Sequence, residues 1–287
     1  MMKFGYLFLH LYNKYNLPFG EKIVSSIDGK VLNYEYNYDQ CLLKLLETDS
    51  GWIAGVALLL CAVAAYLIGS LNSAVILSKV FHHDDVRKYG SGNAGATNMA
   101  RTYGKKAALF TILGDILKGV VAVIAGSFLM GATLGGYFAG LMCVVGHIFP
   151  VFYNFRGGKG VATAAAVILV VNPTVFLVVL GVFALTVLLT KYVSLGSCLA
   201  AAIFPFMTFQ FVAGKVPNWG HAFICAFLMA ILVICKHHTN LKRLANGQES
   251  KFAFKKKEDI QKASDTETKV YKARKKKKET KYKVKKK

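Results

Sequence analysis

The sequence predicts an all-α fold: a polytopic membrane bundle of about seven transmembrane helices, with the N-terminus outside and the C-terminus in the cytoplasm. Of its 287 residues, 54% are hydrophobic, and the mean hydropathy is +0.41. The charges are unevenly placed, because residues 51–250 contain only four acids, Asp84, Asp85, Asp115 and Glu249. A soluble domain of that length needs far more charged surface, so the composition excludes this class.

Composition divides the chain into three regions. Residues 1–50 form a polar extension whose role the sequence does not indicate, residues 51–250 form the membrane domain, and residues 251–287 form a tail. The tail carries 17 Lys/Arg against 5 Asp/Glu, which is a large part of the net charge of +21. Such a low-complexity segment is typical of disorder. We expect it to contact anionic lipid headgroups, and no specific nucleic acid partner is expected.

Charge-free runs of about 20 residues, enough to cross a hydrocarbon core of about 30 Å, define the spans. The apolar stretch from Gly160 to Thr190 would be about 46 Å long as one helix. Asn172-Pro173 is a turn signal and is predicted to divide it. The predicted spans are Trp52–Ser78, Ala107–Met130, Ala132–Tyr153, 160–171, 174–190, Tyr192–Ala213 and Val216–Cys235.

The division at Asn172 decides which loops share a side of the membrane. With seven spans, the loops at 79–106, 154–159 and 191 lie together with everything after residue 236. These segments hold most of the Lys and Arg residues, whereas the connections on the opposite side have only Lys215. The positive-inside rule therefore places the basic side in the cytoplasm.

The first of three polar clusters is the glycine-rich stretch Gly90–Asn98, followed closely by Arg101. Glycine lets backbone N–H groups approach an anion, and Arg101 adds a counter-charge. The glycine spacing matches the dinucleotide fingerprint, but no strand or βαβ unit surrounds it, so nucleotide binding is rejected. A flexible turn is the alternative. The predicted phosphate-binding residues are Gly90, Ser91, Gly92, Asn93, Gly95, Thr97, Asn98 and Arg101.

The second cluster is Arg156-Gly157-Gly158-Lys159-Gly160, which opens a predicted helix. A helix N-terminus favours an anion, and Lys159 adds a point charge. The cluster is not a Walker A loop, because Gly160 follows the lysine where Ser or Thr is required. We expect phosphate binding by Gly157, Gly158, Lys159 and Gly160. A positive anchor at the membrane interface is the alternative.

The third cluster runs from Lys236 to Glu249. His237 and Asn240 fall on one face of a helix that leaves the last span, and an amphipathic interfacial helix is the alternative interpretation.

Inside the membrane, Asp115 and Lys118 are one turn apart. Because ionisable residues are costly at that depth, they are expected to pair or to face a polar cavity.

Two anion-binding clusters on one face suggest that two anionic groups are handled together. The carboxylates are few and the six cysteines are scattered, so no metal site and no cofactor are expected. No G-x-S-x-G elbow and no H-x-x-x-x-D pattern occurs, which leaves chemistry by positioning and charge stabilisation. A transporter or channel for phosphorylated solutes is the main alternative. A scaffold with an active tail is a second one.

Together, the three clusters resemble the signature loops of the bacterial integral-membrane glycerol-3-phosphate acyltransferases. The resemblance is carried by GSGNAGATN with Arg101, by GGKGVAT, and by His237-x-x-Asn240-x-x-Arg243-Leu244-x-x-Gly247-x-Glu249. It covers about residues 52–252 and extends to Gly114-Asp115-x-x-Lys118-Gly119 and to Gly146-His147-x-Phe149-Pro150. It implies acyl transfer from acyl phosphate to the 1-hydroxyl of sn-glycerol 3-phosphate at the bacterial cell membrane, giving lysophosphatidate and phosphate. This is the first step of phospholipid synthesis, and the family needs neither metal nor coenzyme A.

The resemblance also suggests roles for individual residues. Ser91 and Asn93 would cradle one phosphate, which Arg101 would neutralise. Lys159, with the amides of its two preceding glycines, would hold the other anion. His237 and Asn240 would position glycerol phosphate, and either His237 or a substrate phosphate would take the hydroxyl proton. The expected catalytic set is Ser91, Arg101, Lys159, His237 and Asn240, with Arg243 and Glu249 among the substrate-binding residues.

Overall fold

The structure is a computed structural model that describes residues 21–23, 34–36, 51–216 and 218–251. Two short strands, β1 (Glu21–Ile23) and β2 (Tyr34–Tyr36), pair antiparallel within the predicted N-terminal extension. The rest of that extension and the tail from residue 252 lie outside the described residues. Predictions made for those segments therefore stay predictions.

The rest of the described chain is mainly helical. Short helical turns cover Val86–Lys88 and Val151–Tyr153, and a π-helical turn covers Ala132–Gly136. The α-helices are α1 (Gly51–Ser70), α2 (Ser73–His82), α3 (Ala96–Tyr103), α4 (Lys105–Met130), α5 (Tyr137–Ile148), α6 (Val161–Val171), α7 (Pro173–Thr190), α8 (Val193–Val212), α9 (Trp219–Lys236) and α10 (His238–Ala245).

Several helices carry large apolar side chains on their outer faces, as a lipid-facing surface requires; Leu59, Leu117 and Leu189 are examples. Helix α6 is a shorter apolar helix. The helical bundle with its apolar outer faces confirms the helical membrane fold, whereas the count of seven spans and the orientation of the two termini stay predictions. Six stretches among the described residues are long and apolar enough to cross a membrane: Trp52–His82, Lys105–Met130, Thr133–Tyr153, Pro173–Thr190, Val193–Val212 and Trp219–Lys236.

The predicted break at Asn172-Pro173 is confirmed. The Asn172 side chain accepts a hydrogen bond from the Val175 amide at 3.0 Å, so it caps the start of α7. Pro173 is the first residue of α7, where its missing N–H costs no hydrogen bond. The break leaves α6 with 11 residues, well short of a full span.

The first predicted span, Trp52–Ser78, lies within the apolar stretch Trp52–His82, but that stretch is interrupted, because α1 ends at Ser70 and α2 begins at Ser73. Asn72 caps α2 with its side chain. From α4, the Lys118 ammonium donates to the carbonyls of Gly69 at 3.1 Å and Leu71 at 3.0 Å. A cation at the C-terminal end of a helix satisfies carbonyls that have no intrahelical partner. The break is therefore stabilised by a residue distant in sequence.

Helix α5 lies inside the bundle and packs against α1, α4 and α9. Glycines allow α1 and α5 to approach closely. A Cβ added to Gly69 would lie 2.1 Å from the Cys143 carbonyl oxygen, and one added to Gly146 would lie 2.2 Å from that of Tyr66. Close backbone contact of this kind is how helices associate where lipid replaces water. It fixes the helices that hold the polar loops.

Candidate active site

Residues from all three predicted clusters meet in one place. The Lys159 ammonium donates to Asn240 Oδ1 at 2.5 Å, which joins the second cluster to the third. Gly158 lies so close to the Ala94 carbonyl that an added Cβ would be 2.7 Å from that oxygen, which joins the second cluster to the first. Arg101 is near enough to Lys159 to influence its pKa. The fold therefore brings together residues that lie up to about 150 positions apart in the sequence.

Lys159 lies at the centre of this arrangement and is partly buried. The pKa of Lys159 is lowered to about 8, and burial is the largest cause. The positive charges of Arg243 and Arg101 also lower this pKa. The Glu249 carboxylate opposes them by raising the pKa. At neutral pH the ammonium is charged but poorly hydrated, so it is well suited to bind an anion.

Glu249 organises the third cluster. Its Oε1 accepts hydrogen bonds from Asn240 Nδ2 at 2.7 Å and from Ser194 Oγ at 2.8 Å, and its Oε2 accepts one from Arg243 Nε at 2.9 Å. Burial raises the pKa of Glu249, but these hydrogen bonds together outweigh it and hold the pKa below its ordinary value. The ionised carboxylate thus fixes Asn240 with its oxygen toward Lys159.

His237 lies between α9 and α10 and is 2% exposed. Its Nδ1 is 2.8 Å from the Val233 carbonyl. A carbonyl can only accept, so Nδ1 carries the hydrogen and Nε2 keeps its lone pair. Burial is the main cause that lowers the pKa of His237 to about 4. The imidazole is therefore neutral at neutral pH, and its Nε2 can accept a hydrogen bond.

The first cluster is only partly a loop, because α3 begins at Ala96. Asn98 is buried on α3, and its side-chain nitrogen and oxygen both form hydrogen bonds with the backbone of the preceding loop. Its Nδ2 donates to the carbonyls of Val86 and Tyr89 at 3.0 Å each, while its Oδ1 accepts from the Ser91 amide at 2.9 Å. Asn98 therefore shapes the loop, and its contact with phosphate stays a prediction.

The backbone of the first cluster is also largely committed to internal hydrogen bonds. The Gly92 amide donates to the Tyr89 carbonyl at 3.0 Å, and the Gly95 amide donates to the Asn93 carbonyl at 3.1 Å. These amides do not form the predicted anion cradle. Side chains remain available instead: those of Ser91, Asn93, Thr97 and Arg101 make no hydrogen bond within the described part of the chain and reach the protein surface.

The glycines of the second cluster have a different role from the one predicted. The amides of Gly157 and Gly158 donate to the carbonyls of Ile148 at 3.2 Å and His147 at 3.1 Å, so they are not free to bind an anion. Gly160 has φ +80° just before α6, a conformation that favours glycine. The first amides of α6, which have no partner within the helix, follow directly after Lys159.

Two residues of the site were missed by the sequence reasoning. Ser194 belongs to no motif, although it follows the basic loop at Lys191 on the predicted cytoplasmic side. Arg87 was counted only as a loop charge, but its Nη1 donates at 2.9 Å to the carbonyls of both Tyr153 and Arg156. It thereby secures the segment that leads into the second cluster.

Comparison with known proteins gives consistent matches. A family model described as glycerol-3-phosphate acyltransferase matches residues 59–247. A glycerol-3-phosphate acyltransferase of Thermoanaerobacter pseudethanolicus is 46% identical over 196 residues, covering 68% of this chain and 96% of that protein. One from Clostridioides difficile is 45% identical over 200 residues, covering 68% and 95%.

Solved structures agree with these matches. The crystal structure of an integral membrane glycerol 3-phosphate acyltransferase in its glycerol 3-phosphate form superposes with a TM-score of 0.62 at 36% identity, covering 68% of this chain and 96% of that one. The lysophosphatidic acid form gives a TM-score of 0.60 at 35% identity, covering 68% and 95%.

Proposed function

The chain belongs to the glycerol-3-phosphate acyltransferase family, and from this premise we propose that it transfers an acyl group from acyl phosphate to the 1-hydroxyl of sn-glycerol 3-phosphate. The protein is an integral membrane acyltransferase, and the relatives are bacterial membrane enzymes. The same relatives argue against the alternative of a transporter for phosphorylated solutes. The proposed products are 1-acylglycerol 3-phosphate and inorganic phosphate.

One observation carries this proposal: the Lys159 ammonium is partly desolvated and lies within electrostatic reach of the Arg101 guanidinium and of the neutral His237. Both proposed substrates carry a phosphate group, so the site needs two separate cationic elements. Arg101 suits one phosphate, together with the side chains of Ser91 and Asn93, which make no hydrogen bond to the described residues. Lys159, just before the N-terminus of α6, suits the other.

The third cluster is proposed to act through position. Arg243 is already paired with Glu249, so its charge is largely compensated before any substrate arrives. Glu249 in turn orients Asn240, whose oxygen holds Lys159. We therefore assign Arg243 and Glu249 to orienting the site, and Asn240 with His237 to contacting glycerol phosphate.

In the proposed reaction, the 1-hydroxyl oxygen attacks the acyl carbon, and the bond from that carbon to the phosphate oxygen breaks. The electron pair of the broken bond leaves with the phosphate. The Lys159 ammonium would neutralise charge that develops on the carbonyl and on the departing phosphate, which is the largest single contribution in many acyl transfers. No covalent intermediate on the protein is required.

The hydroxyl proton must be taken up as the new bond forms. His237 Nε2 can accept a hydrogen bond from the hydroxyl, but its pKa of about 4 makes it a weak base. A phosphate monoester has its second pKa at about 6 and is therefore the stronger base. We propose that His237 orients the hydroxyl and that a substrate phosphate oxygen accepts the proton.

The decisive experiment supplies the purified protein separately with acyl phosphate, acyl-coenzyme A and acyl-carrier protein, each with labelled glycerol 3-phosphate. Transfer from acyl phosphate is the expected result. Transfer from the thioesters alone would overturn the donor assignment, and no transfer from any donor would overturn the proposed activity.

Lys159→Ala tests the assignment of the site residues. We expect turnover to fall by about 100-fold or more, the scale of losing one donor that stabilises transition-state charge. Lys191→Ala, another lysine on the predicted cytoplasmic side, is the control and should keep the rate of the unchanged protein. A loss of only two- to threefold in Lys159→Ala would support the interfacial-anchor interpretation.

The lipid partners are also proposals. The acyl chain would lie among the lipid-facing helices, and the lysine-rich tail would contact anionic headgroups, with about 1 kcal/mol from each lysine near the surface. Removing residues 254–287 should leave acyl transfer intact and weaken the response to added anionic lipid. Loss of transfer on truncation would instead place the tail in the catalytic machinery.

A further inference from the structure

A buried polar network lies beneath the site, within the bundle. Asp115 and Lys118 on α4 form an ion pair with 3.0 Å between Nζ and Oδ1, as the sequence predicted. Lys118 Nζ is also 2.8 Å from His147 Nδ1 on α5, and Ser73 Oγ donates to Asp115 Oδ1 at 3.0 Å. All four side chains are almost fully buried. The proposed reaction uses none of them.

The network touches the second cluster through His147. The His147 carbonyl accepts the Gly158 amide at 3.1 Å. The imidazole lies against the same glycine, because a Cβ added to Gly158 would be 2.1 Å from His147 Nε2. Gly158 directly precedes Lys159. The position of the imidazole therefore sets where the backbone carrying the reactive ammonium can lie.

The same network touches the first cluster through Lys118. Its ammonium binds the last carbonyls of α1, at Gly69 and Leu71. The next residue, Asn72, donates from Nδ2 to the Ala94 carbonyl at 3.4 Å, within the Gly90–Asn98 stretch. Lys118 thus supports a helix end from which one side chain reaches the first cluster directly.

From these contacts we infer that Asp115, Lys118 and His147 are positioning residues: one buried unit that fixes the second cluster through Gly158 and the first through Asn72. The two anion-binding elements would then keep a constant separation because both are tied to the same ion pair. The inference rests on the proposed function, since its consequence is the relative placement of two phosphate groups. Misplacement by about 1 Å can lower a rate by about 100-fold.

A purely stabilising ion pair is the competing explanation, and a double variant separates the two. Asp115→Asn with Lys118→Met keeps the shape of both side chains and removes both charges. Replacing a whole buried pair is often neutral for stability, whereas removing one partner is not. The double variant also loses the hydrogen bonds from Lys118 to Gly69 and Leu71. It should therefore fold and yet hold the two clusters loosely.

The measurement compares thermal unfolding with kcat, KM and the pH profile of kcat/KM, using the full chain and acyl phosphate. We expect a somewhat lower unfolding temperature, because the carbonyls of Gly69 and Leu71 lose a donor, with the protein still folded at the assay temperature. We also expect at least about tenfold lower kcat/KM and an alkaline limb moved to higher pH as Lys159 regains water. Ser127→Ala, a buried change further along α4, should alter none of these. Unchanged kinetics, or a loss that only follows the folded fraction with the same pH profile, would overturn the inference.

If the double variant does not fold, a second variant tests the contact between His147 and Gly158 from the side of the glycine. Gly158→Ala places a methyl group against His147 Nε2 and the Ala94 carbonyl, so both contacts must open. We expect a raised KM for glycerol 3-phosphate and a lowered kcat. Gly181→Ala, where an added Cβ meets nothing within 4 Å, is the matched control. Wild-type kinetics in Gly158→Ala would overturn the inference, while no transfer by the unchanged protein would instead overturn the proposed function.

Discussion

The ammonium of Lys159 has lost much of its hydration, and that loss is the main reason for its pKa of about 8. An arriving phosphate supplies the counter-charge that water no longer provides. Binding therefore favours the protonated form more strongly than it would at a solvated lysine. The nearby Glu249 carboxylate limits the effect, because it raises the pKa and keeps the group charged at neutral pH.

The pH dependence of transfer follows from this pKa. Below about pH 8 Lys159 is protonated, so we expect kcat/KM to fall as pH rises through about 8 and the charge disappears. An arginine stays protonated throughout this range. A profile measured with Lys159→Arg should therefore be lower in magnitude but lack the alkaline limb. An alkaline limb that persists in this variant would assign it to another group.

Glu249→Gln should move that limb. The carboxylate raises the pKa of Lys159, so its replacement by a neutral amide lowers this pKa, and the fall in kcat/KM should begin at lower pH. Ser194→Ala removes one donor to Glu249 but leaves the carboxylate, and serves as the comparison. A limb that moves to higher pH in Glu249→Gln would contradict the assigned electrostatics.

At the scale of helices, local signals were predictable and distant ones were not. Asn172-Pro173 marks its own break, because a capping side chain and a proline lie next to each other in sequence. The break between α1 and α2 has a capping side chain too, Asn72, but no proline follows it, and Lys118 from another helix binds the carbonyls before it. The apolar run therefore gave a weaker local sign of this break. The start of α3 at Ala96 was missed for a similar reason, because its buried face packs on distant residues.

The same division holds for the site. Lys159, His237 and Asn240 were identified because charged or polar residues in an apolar chain stand out. The use of the Gly157 and Gly158 amides could not be read from the sequence, since their acceptors lie on α5. Ser194 carries no distinctive pattern, and only the fold brings it to Glu249.

The two capping asparagines make a matched pair. Asn72 and Asn172 each accept a hydrogen bond from a first-turn amide, at 3.1 and 3.0 Å. Replacing either by alanine should cost about 1 kcal/mol, measurable as a lower unfolding temperature. Asn172→Ala should leave kcat/KM unchanged, whereas Asn72→Ala should lower it because the bond to Ala94 is lost. Equal kinetics in the two variants would contradict the proposed support of the first cluster.

At the scale of the whole molecule, the orientation can be tested by labelling. In a variant whose native cysteines are replaced by alanine, single cysteines are placed at Lys215 and at Lys242. Seven spans with a cytoplasmic C-terminus predict that a membrane-impermeant maleimide labels the first position in intact cells and the second only after lysis. Labelling of both from outside would refute the predicted topology.

The 11 residues of α6 extend about 16 Å, roughly half the thickness of a hydrocarbon core. In the seven-span arrangement, with Asn172 near the outer surface, the end that follows Lys159 lies well below the cytoplasmic surface of the membrane. We expect water and headgroups to fill the depression above it. The boundary between the hydrocarbon core and the aqueous phase would then lie at the level of the reacting atoms. A fatty chain and a sugar-alcohol phosphate could then meet without either leaving the phase in which it dissolves.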